Sequence, residues 1–235
     1  ESSLSKNFPL NTELESYLTF RGKAKGSWLL SVSPNSESFS VRTRHSFISL
    51  PDEGYKPRKF DPRAGYGAMT FYDYASPIED DLHVKYIRRH RLIKKNPEKE
   101  VSEAVEPIIY YLDRGVPEPV KSALLDGGAW WNEAFEAAGF KNAFQIKVLP
   151  EGADMLDVRY NVIQWVHRST RGWSYGSSVV DPRTGEIIKG HVSLGSLRVR
   201  QDYLIAEGLL RPYGKENHPD DLMKEMAIKR LRQLS

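Results

Sequence analysis

An α+β fold follows from three features of the sequence. The first is strict alternation in the N-terminal part, where Phe39, Val41 and Thr43 interleave with Ser40, Arg42 and Arg44, the period of a half-buried strand. The second is a change of texture near residue 100, after which short β-branched or aromatic runs alternate with helical stripes. The third is a run of Pro/Asn/Asp/Gly turn signals between the runs. Together they predict a β-rich region over residues 1–100 and an α/β-textured region over residues 101–235.

Each element has its own reason. Residues 27–33 and 38–50 read as strands joined by the turn Pro34-Asn35-Ser36. The adjacency of Phe47 and Ile48 shifts the alternation and predicts a bulge or strand end near His45. Residues 51–74 hold too many breakers for a long helix or central strand, and their aromatics mark an ordered loop with short strands. Residues 82–95 read as extended or helical. Polar residues 96–106 read as a linker, which sets the expected domain boundary near residue 100.

Residues 107–112 then form a short strand. Pro117 and Pro119 open a helix with the stripe Val120, Leu124, Gly127, Trp131, Ala134/Phe135 and Ala138, stopped by Gly139. Residues 144–149 form a strand. Residues 159–166 are apolar on both faces, as a covered central strand requires. Residues 174–180 and 186–194 are two further strands around the turn Asp181-Pro182-Arg183-Thr184-Gly185. Residues 201–210 and 219–235 read as helices. The second carries the stripe Met223, Met226, Ala227, Arg230, Leu231 and Leu234, with Asp220 or Asp221 as its cap.

Composition narrows the chemistry. With no cysteine among 235 residues, disulfides, cysteine nucleophiles and cysteine-based zinc sites are excluded. The longest apolar runs are far below the roughly 20 residues of a membrane helix. Thirty-four Lys and Arg against 31 Asp and Glu leave a net charge of +3, too small to imply a polyanionic partner. The basic run from Lys85 to Lys95, with Tyr86 and His90 interleaved, could track phosphates, but the acids Glu79–Asp81 just upstream read as its partners. His45, His83, His90, His167, His191 and His218 show no spacing of three or four residues, so no H-E-x-x-H face is present; a site assembled from distant histidines stays open. G-x-S-x-G and the phosphate-loop motifs are absent, and Gly176-Ser177-Ser178 reads as the start of a strand rather than a nucleophile.

The wording of several long blocks is familiar. PIIYYLDRGVPEPVK, the stretch from WWNEAFEAAGF to LRVRQDYL, and EMAIKRLRQLS resemble large secreted bacterial zinc-dependent metalloproteases of the metzincin-like type. LPDEGYKPRKFDPRAGYGAMTFYDY resembles the domain that precedes the catalytic one in those proteins. The resemblance implies an accessory domain at residues 1–100 and, at residues 101–235, the upper half of a metzincin-like domain, a mixed, twisted sheet with an edge strand packed on long helices. It also implies that the zinc-binding H-E-x-x-H-x-x-G-x-x-H segment follows RQLS. No position in this sequence matches the zinc ligands or the catalytic glutamate. The expectation is therefore an inactive fragment of a zinc endopeptidase, with no catalytic or metal residue of its own and zinc only in the intact parent.

The opening Glu1-Ser2-Ser3 reads as a mature or cut form, and the resemblance implies an extracytoplasmic bacterial location. It also implies that an extended peptide pairs with an exposed edge strand at Tyr175, Gly176, Ser177, Ser178 and Val179. The alternative at this edge is that residues 51–74 cover it and shield the cleft of the intact enzyme, with Asp52 or Asp61 facing the metal. Met223, Met226 and Leu231 would then form an uncovered face prone to self-association. The competing reading is a non-catalytic extracytoplasmic module that binds extended peptides or glycans.

Overall fold

The computed structural model describes residues 5–168, 173–210 and 229. The fold is mixed α+β, rich in strands, and it divides into two compact units.

The first unit comprises residues 1–50 with the short segment 156–158. It contains β1 (Ser5–Asn7), β2 (Asn11–Arg21), α1 (Ser27–Val32) and β3 (Ser38–Ile48). The three strands form one antiparallel sheet in the order β1-β2-β3. Pairing of β2 with β3 runs unbroken from Asn11 opposite Ile48 to Arg21 opposite Ser38. The bulge expected near His45 is absent: His45 sits in register opposite Leu14. Both neighbours, Arg44 and Ser46, have a partner acid on β2, Glu15 and Glu13, and those contacts hold the register.

The strand expected at residues 27–33 is instead the helical turn α1. That stretch has no polar/apolar alternation. It lies where the chain must reverse between two antiparallel strands, and one turn of helix accomplishes the reversal. Leu30 N–H donates to the Gly26 carbonyl at 3.2 Å, Ser33 N–H to Leu29 at 3.1 Å, and Ser31 Oγ to Trp28 at 2.9 Å. Nothing in α1 is buried, so local hydrogen bonding rather than packing selects its shape.

The second unit comprises residues 51–155 and 159–235. After a 3-10 turn at Pro62–Ala64 come the antiparallel hairpin β4 (Ala68–Tyr72) and β5 (His83–Ile87), and β6 (Ser102–Glu103). The main sheet and its helices follow: β7 (Ile108–Leu112), α2 (Val120–Ala129), α3 (Trp131–Ala137), β8 (Phe140–Lys141), β9 (Phe144–Val148), β10 (Asn161–Val166), β11 (Tyr175–Val180), β12 (Ile187–Gly195) and α4 (Leu197–Leu210). The five-stranded sheet has the order β11-β12-β10-β7-β9. β12, β10, β7 and β9 are parallel, and β11 alone is antiparallel. β10 is central, as its two apolar faces predict, and its Val162 is fully buried. The main core gathers Leu112, Val116, Val120, Leu124 and Trp165, where α2 closes on one face of the sheet.

Two further expectations change. The compact units part at residues 50 and 51, not near residue 100. The expected linker is tied down: Lys94 bridges to Ala104, Ser102 pairs with Phe140, and Lys94 Nζ donates to the Lys99 and Glu100 carbonyls. Upstream of it, Arg89 N–H donates to Gly185 at 3.2 Å and Ile187 N–H donates to the Arg89 carbonyl at 2.9 Å. Residues 51–100 therefore pack with the sheet that follows them. The single helix expected from Pro117 to Ala138 is two, joined through Trp130, just after the pair Gly127-Gly128 that weakens a helix interior. Val120, Leu124 and Gly127 of its stripe are buried, whereas Trp131 is exposed. The helix expected at residues 219–235, with Met223, Met226 and Leu231, lies outside the described residues.

Candidate functional site

The candidate site is β11, and its position follows from the sheet. β12 occupies one side of it, and no described strand pairs with the other. Tyr175 lies opposite Ser193, Gly176 opposite Val192, Ser177 opposite His191, Ser178 opposite Gly190 and Val179 opposite Lys189. Side chains alternate across the sheet, so Tyr175, Ser177 and Val179 share a face with Ser193, His191 and Lys189, while Gly176 and Ser178 share the face of Val192. Tyr175, Gly176, Ser177 and Val179 are exposed and Ser178 half-buried, so the five residues expected at the edge stand together on it. A β-carbon added at Gly176 would meet no atom within 4 Å, which leaves open space beside the backbone. Register shifts between Val179 and Val180, where the edge ends in a bulge.

Both ends of the edge are braced. At the start, Arg168 donates to the Trp173 carbonyl at 3.0 Å, and its guanidinium lies 5.6 Å from the centre of the Tyr175 ring. Gly195 N–H donates to Ser174 Oγ at 3.2 Å. At the far end Asp181, almost fully buried, accepts from Arg183 N–H at 2.8 Å and from its Nη2 at 2.8 Å. The Arg183 hydrogen bonds hold the Asp181 carboxyl below its ordinary range, against the opposing effect of burial. Arg183 reaches on to the Pro51 carbonyl at 2.9 Å. Arg168 is the residue that sequence reading missed; its signal was only an arginine a few positions before a strand.

The other candidates separate. Asp52 accepts from Arg91 Nη1 at 2.8 Å and Asp61 from Arg63 Nη2 at 2.7 Å, so each carboxylate is spent on an arginine. The basic run is likewise committed within the fold: Arg91 holds Glu186 through two bonds at 2.8 and 2.9 Å, Arg89 lies over Tyr55, and Lys95 faces Glu103. Its partner acids are thus Asp52, Glu103 and Glu186, not Glu79–Asp81. His45, His83 and His191 lie on β3, β5 and β12, His90 and His167 lie outside any strand or helix, and among the described residues no three His, Asp or Glu side chains gather as a metal site. No described helix is long and apolar enough to cross a membrane.

Residues 3–95 match a family described as a domain of unknown function, DUF5117. That match spans β1 to β5 and the basic run, and leaves the β11 edge outside it. No curated protein and no solved structure matches this chain.

Proposed function

We propose that this chain is the substrate-holding part of a secreted bacterial zinc-dependent endopeptidase of the metzincin-like type, with the metal ligands supplied by sequence outside it. The observation that carries the reading is β11: an exposed antiparallel edge on an otherwise parallel sheet, following β10 and preceding β12 in the order the resemblance requires. An extended peptide laid along Tyr175–Val179 would gain main-chain hydrogen bonds from the free side of the strand and become a sixth strand. Residues 1–235 would then bind peptide without cleaving it.

The test has two arms. The natural gene product that includes the sequence past Ser235 is assayed on an unstructured protein substrate with and without a metal chelator. Residues 1–235 are titrated with an extended peptide and with the same peptide N-methylated on alternate amides. Chelator-sensitive cleavage by the longer protein, and binding by the shorter one that N-methylation abolishes, are expected. A longer protein with no metal-dependent cleavage defeats the protease reading, and indifference to N-methylation defeats the edge.

A second reading, a module that binds extended peptides or glycans without catalysis, has its own observation. Exposed Tyr72 and Tyr74 and half-buried His83 form a row of rings on the β4–β5 hairpin, with Tyr72 and His83 parallel at 4.6 Å and Tyr72 and Tyr74 at 6.3 Å. Tyr74 is 83% exposed. Flat, exposed rings suit stacking on sugar faces. Oligosaccharide binding lost on Tyr74→Ala, together with no proteolysis by the longer product, would favour it.

A further inference from the structure

On the face of the main sheet that α2 and α3 cover lies an apolar pocket of about 350 Å³. Ring side chains dominate its wall: His90, Tyr110, Trp131, Phe135 and Phe144, with Ile163 from the central strand. Phe144 is the hub, stacked on Phe135 at 5.8 Å and tilted against Tyr110 at 5.6 Å and Trp131 at 6.5 Å. His90 meets Tyr110 edge-on at 6.2 Å. None of the lining side chains is an Asp, Glu, Lys or Arg.

Two glycines shape the site. A β-carbon at Gly190 would collide with the Tyr110 hydroxyl, so Gly190 lets that tyrosine lie down across the sheet. A β-carbon at Gly128 would stand 2.7 Å from Ile146 Cδ1, so Gly128 lets α2 close over β9. The walls are therefore preformed by close packing. The Tyr110 hydroxyl lies against Gly190 and the His90 ring meets Tyr110 edge-on, so both rings bring their polar atoms to the pocket wall. Burial holds both groups neutral at pH 7, pushing His90 down to about 4 and Tyr110 upward. The volume falls in the range of small-molecule sites, which are mostly apolar with a few convergent polar groups.

We propose that this pocket binds a small, neutral, flat molecule of one or two fused rings bearing a single hydrogen-bonding group, which stacks on the Phe144 cluster and is read by Tyr110 and His90. A charged ligand would lose its hydration and find no counter-charge in the wall. The site lies away from the exposed side of β11, so it stands whether or not the peptidase reading does.

Indole is the probe, with toluene as the ring without a polar group and benzoate as the charged ring, each titrated into residues 1–235 by ligand-observed NMR. Indole should bind saturably in the sub-millimolar range and benzoate at least about tenfold more weakly. Tyr110→Phe should weaken indole about three- to tenfold and leave toluene unchanged, since it removes one hydrogen bond and no volume. Val192→Trp, which fills the pocket, should abolish both. Thermal melts confirm that each variant is folded, and the isosteric Tyr110→Phe decides if Val192→Trp is not. The proposal is overturned if indole shows no saturable binding up to its solubility. It is equally overturned if benzoate binds as well as indole, or if neither substitution changes the affinity.

Discussion

At the scale of single residues, the second unit is pinned by a few side chains whose loss would be disproportionate. Arg91 is the clearest. Its guanidinium grips Glu186, which is only 6% exposed, with two parallel bonds, and reaches Asp52 at the same time. The hydrogen bonds it donates to Glu186 and Asp52 hold the guanidinium more firmly protonated than a free arginine. Removing it leaves a buried carboxylate without a partner, a loss larger than the pair itself contributes. Arg91→Ala should therefore lower stability by about 2–4 kcal/mol in urea unfolding. Arg91→Lys should recover less than half, because an ammonium cannot make the two parallel bonds. An Arg91→Ala loss below that of an ordinary surface substitution would show the pair to be solvent-screened.

His90 sets a pH dependence. Its folded value of about 4 lies below the ordinary value near 6.5 because burial disfavours the imidazolium. Between those two values the unfolded chain binds the proton and the folded chain does not, so stability falls as pH drops from about 6.5 to about 4. The full effect is up to about 3 kcal/mol. His191, also lowered by burial and by Lys189, acts in the same direction. From neutral to acid pH across that range, the melting temperature of wild type should fall relative to that of His90→Phe, whose curve should be markedly flatter. Parallel curves would contradict the assignment.

At the scale of elements, the legible parts of the fold are those where one physical signal dominates. β10 reads as central because both faces of Asn161–Val166 are mostly apolar, whereas β11 is an edge by the order of elements that the resemblance implies, and its Gly-Ser-Ser run suits close backbone approach. Gly139 reads as a helix stop, and its φ of +86° is the left-handed conformation that such a stop requires. The illegible parts are set by contacts distant in sequence. α1 has neither helical stripe nor strand alternation, and its shape comes from the need to connect β2 to β3. The expected linker is polar, yet its backbone is engaged by β8 and Lys94, which no local composition encodes. Of the candidate site, the edge strand was visible through the order of elements that the resemblance implies; Arg168 and the aromatic pocket were not, since the pocket's rings come from four separated segments.

The turn between β11 and β12 combines both kinds of signal. Its Pro/Asp/Gly composition announces a turn, but the reason for Gly185 lies elsewhere. Gly185 has φ +81°, and a β-carbon there would stand 2.6 Å from the Ile87 carbonyl oxygen of the segment leaving β5. Gly185→Ala should cost on the order of 1–3 kcal/mol, through backbone strain together with the displaced Arg89–Gly185 hydrogen bond. The amide protons of Arg89 and Ile187 should lose exchange protection in the same variant. Unchanged protection would mean that the two segments are held by side chains alone.

At the scale of the whole molecule, the chain does not finish one compact unit before beginning the next. Residues 156–158 cluster with residues 1–50, across more than a hundred intervening positions. Asn11 makes the connection. It is buried, its Nδ2 donates to the Leu156 carbonyl at 3.0 Å and to Glu13 Oε1 at 2.8 Å, and its Oδ1 accepts from Val158 N–H at 3.0 Å. Two donated bonds and one accepted bond from a single neutral side chain are what an amide supplies and a hydroxyl, with its one donor, does not. Asn11→Leu would strand a backbone donor and a backbone acceptor at once, at about 1–3 kcal/mol each. Asn11→Asp would keep the acceptor for Val158 while placing a carboxylate against Glu13 and the Leu156 carbonyl, so it should be no milder. Because β2 and β3 are completed by a segment so far along the chain, residues 1–50 alone should lack a cooperative thermal transition. Adding a peptide that spans Leu156 and Val158 should raise the order of that fragment, and Asn11→Leu should cancel the gain. A fragment of residues 1–50 that melts as sharply as the full chain would show the first unit to be self-sufficient and Asn11 to be a bystander.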